Sequence, residues 1–341
     1  MSVFARAVFV FGLAALLAGC GGGAASFAPA GSVAPRAPLS VIAANSGTLY
    51  VAATSSVYAV PLNSNGPTNA VRTITPHPNQ TNHLITGVAT SADGTLDILE
   101  RYFDGPSQSV QHCRVVVEGT TANGSPAASN IPCDATDQTQ SESIARNYSG
   151  GFDVLITDVT SGKDLVRRYG GDGATVLSTL TLNTYPLYLA TDFGGHDWLD
   201  SSGGDVTMYK GATTDPTQVT THYVVSAPNG LKQMALAPDR TLYVVNGAIG
   251  NQVIDAIPIG ATTPSRTIGP FTSNMVCALA VDSQGQLYVA LCSTGNNAPA
   301  LVRVYDSAAN GKPVPQRIIT VQPTTTYIRG IAIDETPASA R

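Results

Sequence analysis

The sequence predicts an all-β chain closed into a single β-propeller of about six four-stranded blades, sealed by pairing of its N- and C-terminal strands. Three observations predict it: a strand-and-turn composition, a short motif recurring at the spacing of a propeller blade, and a chain that opens and closes on complementary halves of one repeat. Of the 341 residues, 43% are apolar and only 12% are charged, with 33 Gly and 22 Pro spread through stretches rich in Thr, Ser, Val and Asn. β-Branched residues suit a pleated surface, and Gly, Asn and Pro punctuate turns. Length alone would allow two domains, but an all-β closed fold of this size fits one.

The recurring motif is an apolar strand with a central alanine: Gly87-Val88-Ala89-Thr90, Ser143-Ile144-Ala145, Tyr188-Leu189-Ala190-Thr191-Asp192, Ala235-Leu236-Ala237-Pro238-Asp239, Ala278-Leu279-Ala280-Val281-Asp282 and Gly330-Ile331-Ala332-Ile333-Asp334. Successive alanines lie 43 to 56 positions apart, the period of a four-stranded blade. A turn and a second strand follow the better copies, as in Asp282-Ser283-Gln284-Gly285-Gln286-Leu287-Tyr288-Val289-Ala290, a hairpin signal. Third runs (Val57 to Val60, Cys113 to Val117, Leu301 to Tyr305) and fourth runs (Val71 to Ile74, Arg266 to Ile268, Arg317 to Ile319) complete the repeat, which is weakest around Asn130 and Asp200.

The first repeat opens with Gly47-Thr48-Leu49-Tyr50-Val51-Ala52, a second-strand motif, whereas the chain ends just after a first-strand motif at Gly330 to Asp334. Pairing these two closes the ring and leaves no sheet edge at the seam. Leu39 to Ala43 is the alternative closing strand.

Upstream, Arg6 precedes an apolar run from Ala7 to Ala18 that ends in Gly19-Cys20-Gly21-Gly22-Gly23. The run is short for a membrane-spanning helix and ends in small residues, as an export signal does. The expected organisation is a signal peptide over 1–19, a modified cysteine with a Gly, Ala, Pro and Ser tether over 20–38, and the propeller over 39–341. Leu17-Ala18-Gly19-Cys20 resembles the bacterial lipobox, which implies cleavage before Cys20 and a lipid on its thiol. Gly21 after that cysteine implies the outer membrane where a cell has two.

Cys113, Cys133, Cys277 and Cys292 remain, an even number in a compartment where disulfides persist. Four cysteines allow three pairings. Cys277 and Cys292 stand equally far from a turn at Gln284-Gly285, and Cys113 and Cys133 flank Asn123-Gly124, so each pair is expected to staple neighbouring strands.

The repeats, of the form Ala-Val-Asp-x-x-Gly-x-Leu-Tyr-Val-Ala followed by Val-Tyr and then Arg-Thr-Ile, resemble the NHL-like propeller repeats of bacterial surface and periplasmic proteins. The resemblance runs from Gly47 to Asp334 and implies a fold, with little about activity.

Binding residues on such a scaffold belong on the loops of one face, here those carrying His77, His83, Asp104, His112 and Asp134. His77 and His83 with His112, Asp104 or Asp134 are the best metal-type ligand set, but their spacing matches no metal motif and His77 lies between two prolines. The expectation is therefore solvated loop histidines and no metal or cofactor. Asp192, Asp239, Asp282 and Asp334 each end a first strand and are expected to bond their own turn backbone. Tyr50, Tyr243 and Tyr288 are expected to pack between blades.

A net charge of −5 without a basic stripe excludes nucleic acid as a partner class. No Gly-x-Ser-x-Gly elbow, phosphate loop, dinucleotide fingerprint or His-Glu-x-x-His is present, so no catalytic residue is assigned. The reading is a monomeric, membrane-anchored, exported propeller that acts as a non-catalytic scaffold at the cell envelope and takes a protein, peptide or glycan ligand. The alternative is a propeller enzyme of lactonase or lyase type, whose site would need Glu, Asn and Asp on the inner strands around the channel.

Overall fold

A computed structural model describes residues 47–77, 83–90, 94–104, 110–118, 129–133, 139–147, 150–158, 162–171, 175–182, 186–192, 196–200, 205–210, 218–224, 233–293, 299–322 and 327–335. Their regular structure is entirely β. The first blade joins β1 (Thr48–Ala52), β2 (Val57–Pro61) and β4 (Arg72–Ile74) to β25 (Gly330–Asp334), while β3 (Gly66–Asn69) bridges outward from the link between β2 and β4. The second blade is β5 (His83–Thr90), β6 (Leu96–Asp104), β7 (Val110–Glu118) and β8 (Ser129–Pro132). The third is β9 (Thr139–Arg146), β10 (Phe152–Asp158), β11 (Lys163–Tyr169) and β12 (Val176–Leu182). The fourth is β13 (Leu189–Thr191), β14 (His196–Asp200), β15 (Asp205–Lys210) and β16 (Gln218–Val224). The fifth is β17 (Met234–Leu236), β18 (Leu242–Asn246), β19 (Gln252–Ile257) and β20 (Arg266–Phe271). The sixth is β21 (Asn274–Val281), β22 (Leu287–Ser293), β23 (Leu301–Tyr305) and β24 (Arg317–Gln322).

The innermost strands touch in cyclic order, β25 to β5, β9, β13, β17, β21 and back to β25. The fold is a six-bladed β-propeller.

Its core is not one mass but six apolar layers, one between each pair of neighbouring blades. Alternation along a strand explains this arrangement. On β1, Leu49 and Val51 face the sixth blade while Tyr50 and Ala52 face the second. A second strand buried on both faces must be apolar throughout, hence the unbroken Leu-Tyr-Val-Ala runs at positions 49 and 287.

Ring closure follows the sequence expectation: β1 pairs antiparallel with β25, from Thr48 opposite Asp334 to Ala52 opposite Gly330. Leu39 to Ala43 lie outside the described residues. A second latch was not legible in the sequence. β3 adds in parallel to the outer edge of β24, so the sixth blade gains a fifth strand from the first. The same device recurs one blade back, where Gly311 bridges to Ile268. Both latches use an Asn-Gly pair. Asn65 Oδ1 accepts from the Ile318 N–H at 3.1 Å and Asn310 Oδ1 from the Thr267 N–H at 3.1 Å, while Gly66 and Gly311 take φ of 82° and 66°, a region that suits glycine.

The Arg that opens each Arg-Thr-Ile or Arg-Ile-Ile run reinforces these seams. Arg72, Arg266 and Arg317 donate to the hydroxyls of Tyr50, Tyr243 and Tyr288 in their own blades, at 2.7, 3.1 and 2.9 Å. Arg266 and Arg317 also reach into the next blade, to the carbonyls of Ser307 and Leu62. The three tyrosines are buried between blades, as expected. Burial pushes the Tyr288 phenol up to about 12, with Arg317 pulling the other way, so it keeps its proton and donates to Asp282 Oδ2 at 3.3 Å.

Both expected disulfides form. Cys113 on β7 bonds Cys133 just beyond β8, and Cys277 bonds Cys292 across the first hairpin of the sixth blade. The register differs from simple symmetry about Gln284-Gly285: Cys292 pairs with Met275, and Cys277 is the extra residue of a β-bulge.

Gly47 sets the entry to the seam. A Cβ at Gly47 would sit 2.3 Å from the Asp334 carbonyl oxygen, a clash the closing strand can relieve only by moving. Gly47→Ala is expected to destabilise the fold by about 1–3 kcal/mol, the usual cost of overpacking, read as a lower urea midpoint with an unchanged m-value. An unchanged midpoint would show that the β1–β25 seam tolerates displacement.

Candidate functional site

The six inner strands enclose a central channel, and one apolar residue from each blade meets at its waist: Val88, Ile144, Leu189, Met234, Leu279 and Ile331. Each keeps only 4–8% of its surface exposed. They line both the cavity above them, about 430 Å³, and the one below, about 350 Å³.

The upper vestibule opens because the inner-strand ladders fail just above the waist. In the second, third and sixth blades a register shift inserts one extra residue, Thr86, Glu142 and Cys277, each two positions before the waist residue. In the fourth and fifth blades the regular ladder ends at the waist, with Leu189 opposite Leu199 and Met234 opposite Val244, and among the described residues only one backbone hydrogen bond continues above it in each, from Asp200 to Tyr188 and from Val245 to Gln233. Bulges splay a strand and re-aim its side chains. The vestibule wall thus gathers Arg101, Arg329, Tyr188, Tyr327 and Gln233 above an apolar floor.

Asp200 positions part of this rim. Its Oδ1 accepts the N–H groups of Leu187 and Tyr188 at 2.8 and 2.6 Å. Burial raises its pKa to about 6, against the lowering effect of those N–H donors.

On the same face, outside the vestibule, a buried carboxylate organises the second blade. Glu100 is fully buried and receives Arg114 Nε at 2.8 Å and His83 Nδ1 at 3.1 Å, and His77 Nε2 lies 3.4 Å from its Oε2. The guanidinium of Arg114 lies 4.2 Å from the Tyr102 ring centroid, and that ring stacks on His112 at 5.0 Å. Strand register explains the grouping, since Glu100 lies opposite Arg114 and Tyr102 opposite both His83 and His112. By alternation, Glu100 continues the Leu96 and Ile98 face that packs against the first blade.

The structure thus brings His77 and His83 together on one acid and places His112 beside them. It corrects their expected solvation: the side chains are only 18% and 4% exposed, because Glu100 pulls both rings into the blade. Asp104 is placed only as the last residue of β6, and Asp134 and Cys20 lie outside the described residues. The sequence reading missed Glu100 and Arg114. The available signal was Arg114, a charge set between Cys113 and the apolar run Val115 to Val117; Glu100 stood in a stretch already broken by Asp97 and Arg101 and gave none.

Below the waist, carboxylates hold turns, as expected. Asp282 Oδ1 accepts from Gln284 and Gln286, Asp239 Oδ1 from Thr241, and Asp192 Oδ1 from His196, all at 2.8–3.0 Å. Asp192 does more: it also binds the His196 ring at 2.9 Å and Arg240 of the fifth blade at 2.7 Å. Burial alone would raise its pKa, but these donors outweigh it and hold the carboxyl below its usual range.

No protein-family model and no curated protein matches the chain. Solved structures match its fold. A protein of unknown function from Bacteroides caccae superposes with a TM-score of 0.60 at 11% identity, over 84% of this chain and 98% of the other. U3-55K and the RRP9 WD40 repeats each give a TM-score of 0.49 at 12% identity, over 84% of this chain and 81% and 80% of theirs. The first of these likenesses supports the fold alone.

The raised pKa of Asp200 sets a pH dependence. The folded form holds the proton more tightly than the unfolded chain, whose value is 3.8. The stability this brings is complete below that value and lost as pH rises through about 6. Asp200→Asn keeps an oxygen for both N–H groups and is expected to remove up to about 3 kcal/mol of that decline, measured as ΔG of unfolding at pH 4 and pH 7. Identical slopes in the two proteins would contradict the assignment. Glu100→Gln, which leaves Arg114 buried without its counter-charge, is expected to cost about 3–5 kcal/mol, read from the urea midpoint.

Proposed function

We propose that this chain is an exported lipoprotein, anchored through Cys20, whose propeller is a non-catalytic binding scaffold at the cell envelope. The observation that carries the reading is the apolar waist. Where a lactonase-type propeller would need carboxylate and amide ligands on its inner strands, this one presents Val88, Ile144, Leu189, Met234, Leu279 and Ile331. The carboxylates that line the lower mouth already hold structure: Asp192 ties the fourth and fifth blades, and Glu335 accepts from the Ser283 hydroxyl at 2.8 Å. Two disulfides suit an oxidising compartment. The binding face is the upper one, where the vestibule and the second-blade cluster of His77, His83, Tyr102 and His112 share one rim; its ligand would be a protein, peptide or glycan.

Two measurements test this. Cys20→Ser is expected to abolish palmitate labelling in the producing cell and to move the chain from the membrane pellet to the soluble fraction; unchanged labelling would sink the anchor. Metal analysis of the purified chain is expected to find no stoichiometric divalent ion, with the melting temperature unmoved by chelation. A bound ion whose removal lowers that temperature would favour the enzyme reading instead.

A further inference from the structure

Taking the upper face as the binding face, as proposed above, we infer that the vestibule binds a small organic carboxylate with an aliphatic body. Three features of the cavity converge on that chemistry. Its volume, about 430 Å³, lies in the range of small-molecule sites. Two arginines line it, Arg101 and Arg329, and no Asp or Glu is among its described lining residues. The Nε atoms of both guanidinium groups are buried without a hydrogen-bond partner among the described residues, so each side chain keeps donor capacity that it can satisfy by turning toward an anion in the cavity.

The cavity is also polarised across the ring. Arg329 precedes β25 of the first blade and lies 4.4 Å from the Tyr327 ring centroid, while Arg101 sits on β6 of the second. In a six-bladed ring the first and second blades stand across the channel from the fourth and fifth. Those opposite blades contribute Leu187 and Ile249 to the lining, 43% and 57% exposed. Exposed aliphatic side chains at a cavity mouth mark a surface that gains by being covered. A ligand that matches both sides carries a negative group at one end and hydrocarbon at the other. The apolar waist is a floor on which that hydrocarbon can rest without stranding a polar group.

The carboxylate can belong to a free acid or to the C-terminus of an apolar peptide, and the test separates them. Hexanoate is titrated calorimetrically into the full chain in non-ionic detergent, with hexylamine as the control of opposite charge. Binding of hexanoate but not hexylamine is expected, weakened about tenfold or more by Arg101→Gln and by Arg329→Gln. Ile249→Asp, at an exposed position, is expected to weaken it also while leaving the melting temperature unchanged, so a loss of binding is not a loss of fold. N-acetyl-Leu-Leu with a free carboxylate, compared with its amide, completes the set. Tighter binding of the peptide acid than of hexanoate assigns the site to a chain terminus, and the reverse assigns it to a small free acid. Equal affinity for hexanoate and hexylamine, or no effect of either arginine substitution, overturns the inference. If hexanoate fails while the Cys20 and chelation experiments behave as expected, the ligand class falls and the scaffold stands.

Discussion

The pairing of β1 with β25 is the constraint on which the rest of this propeller depends. In the second to fifth blades neighbouring strands follow one another in the chain, but here Thr48 lies opposite Asp334. Closing a loop of that length costs only about 1.6 kcal/mol more than closing one blade's length, because loop entropy grows with the logarithm of size. A five-pair antiparallel register offsets this readily. The seam is then doubled at larger radius by the parallel addition of β3 to β24 and by Arg317 reaching Leu62. Closure also removes the free edges that an open array of blades would expose.

Because each apolar layer lies between two blades, no blade buries its own faces alone. Stability is therefore shared around the ring, in the manner of repeat proteins whose units need their neighbours. Polar seams follow the same logic. Arg168 of the third blade bonds Asp153 of its own blade at 2.7 Å and Asp197 of the fourth at 3.0 Å, with all three side chains buried. Burial and the nearby Asp153 charge raise the Asp197 pKa well above the ordinary value, despite Arg168. Such a network adds little net stability over apolar packing, but it strongly penalises any slip that leaves one charge unpaired.

The sequence carried what repeats and little of what occurs once. Strand order, blade number and the turn-holding aspartates were legible because each rests on a local pattern seen several times, ring closure because the first and last strands are halves of that pattern, and both disulfides because each cysteine pair flanks a turn. The parallel β3 latch was not, since Gly66 to Asn69 has no strand composition and is held by the edge of β24 rather than by its own propensity. The bulges at Thr86 and Cys277 were hidden for a related reason: an inserted residue changes register without changing the apolar pattern on either side. Within the candidate site, the histidines were found and Glu100 was not. Their burial depends on a single acid placed opposite Arg114 across two strands, a relation that exists only once the register is set.

Those unrepeated features are also what shape the channel. A propeller with six identical inner strands would have an even bore, whereas here the bulged and prematurely ended ladders widen one side of the waist into a vestibule. The ring of Val88, Ile144, Leu189, Met234, Leu279 and Ile331 then divides the channel in two. A polar ligand crossing it would shed water without gaining a hydrogen bond, at a cost of several kcal/mol for an ion. Chemistry at the upper mouth is therefore separated from the lower one, where Asp192, Arg240 and Glu335 are committed to holding blades and turns. The lower end is occupied in holding the fold, while the upper end keeps its arginines and exposed aliphatic side chains uncommitted, which is what the proposed binding role asks of that face.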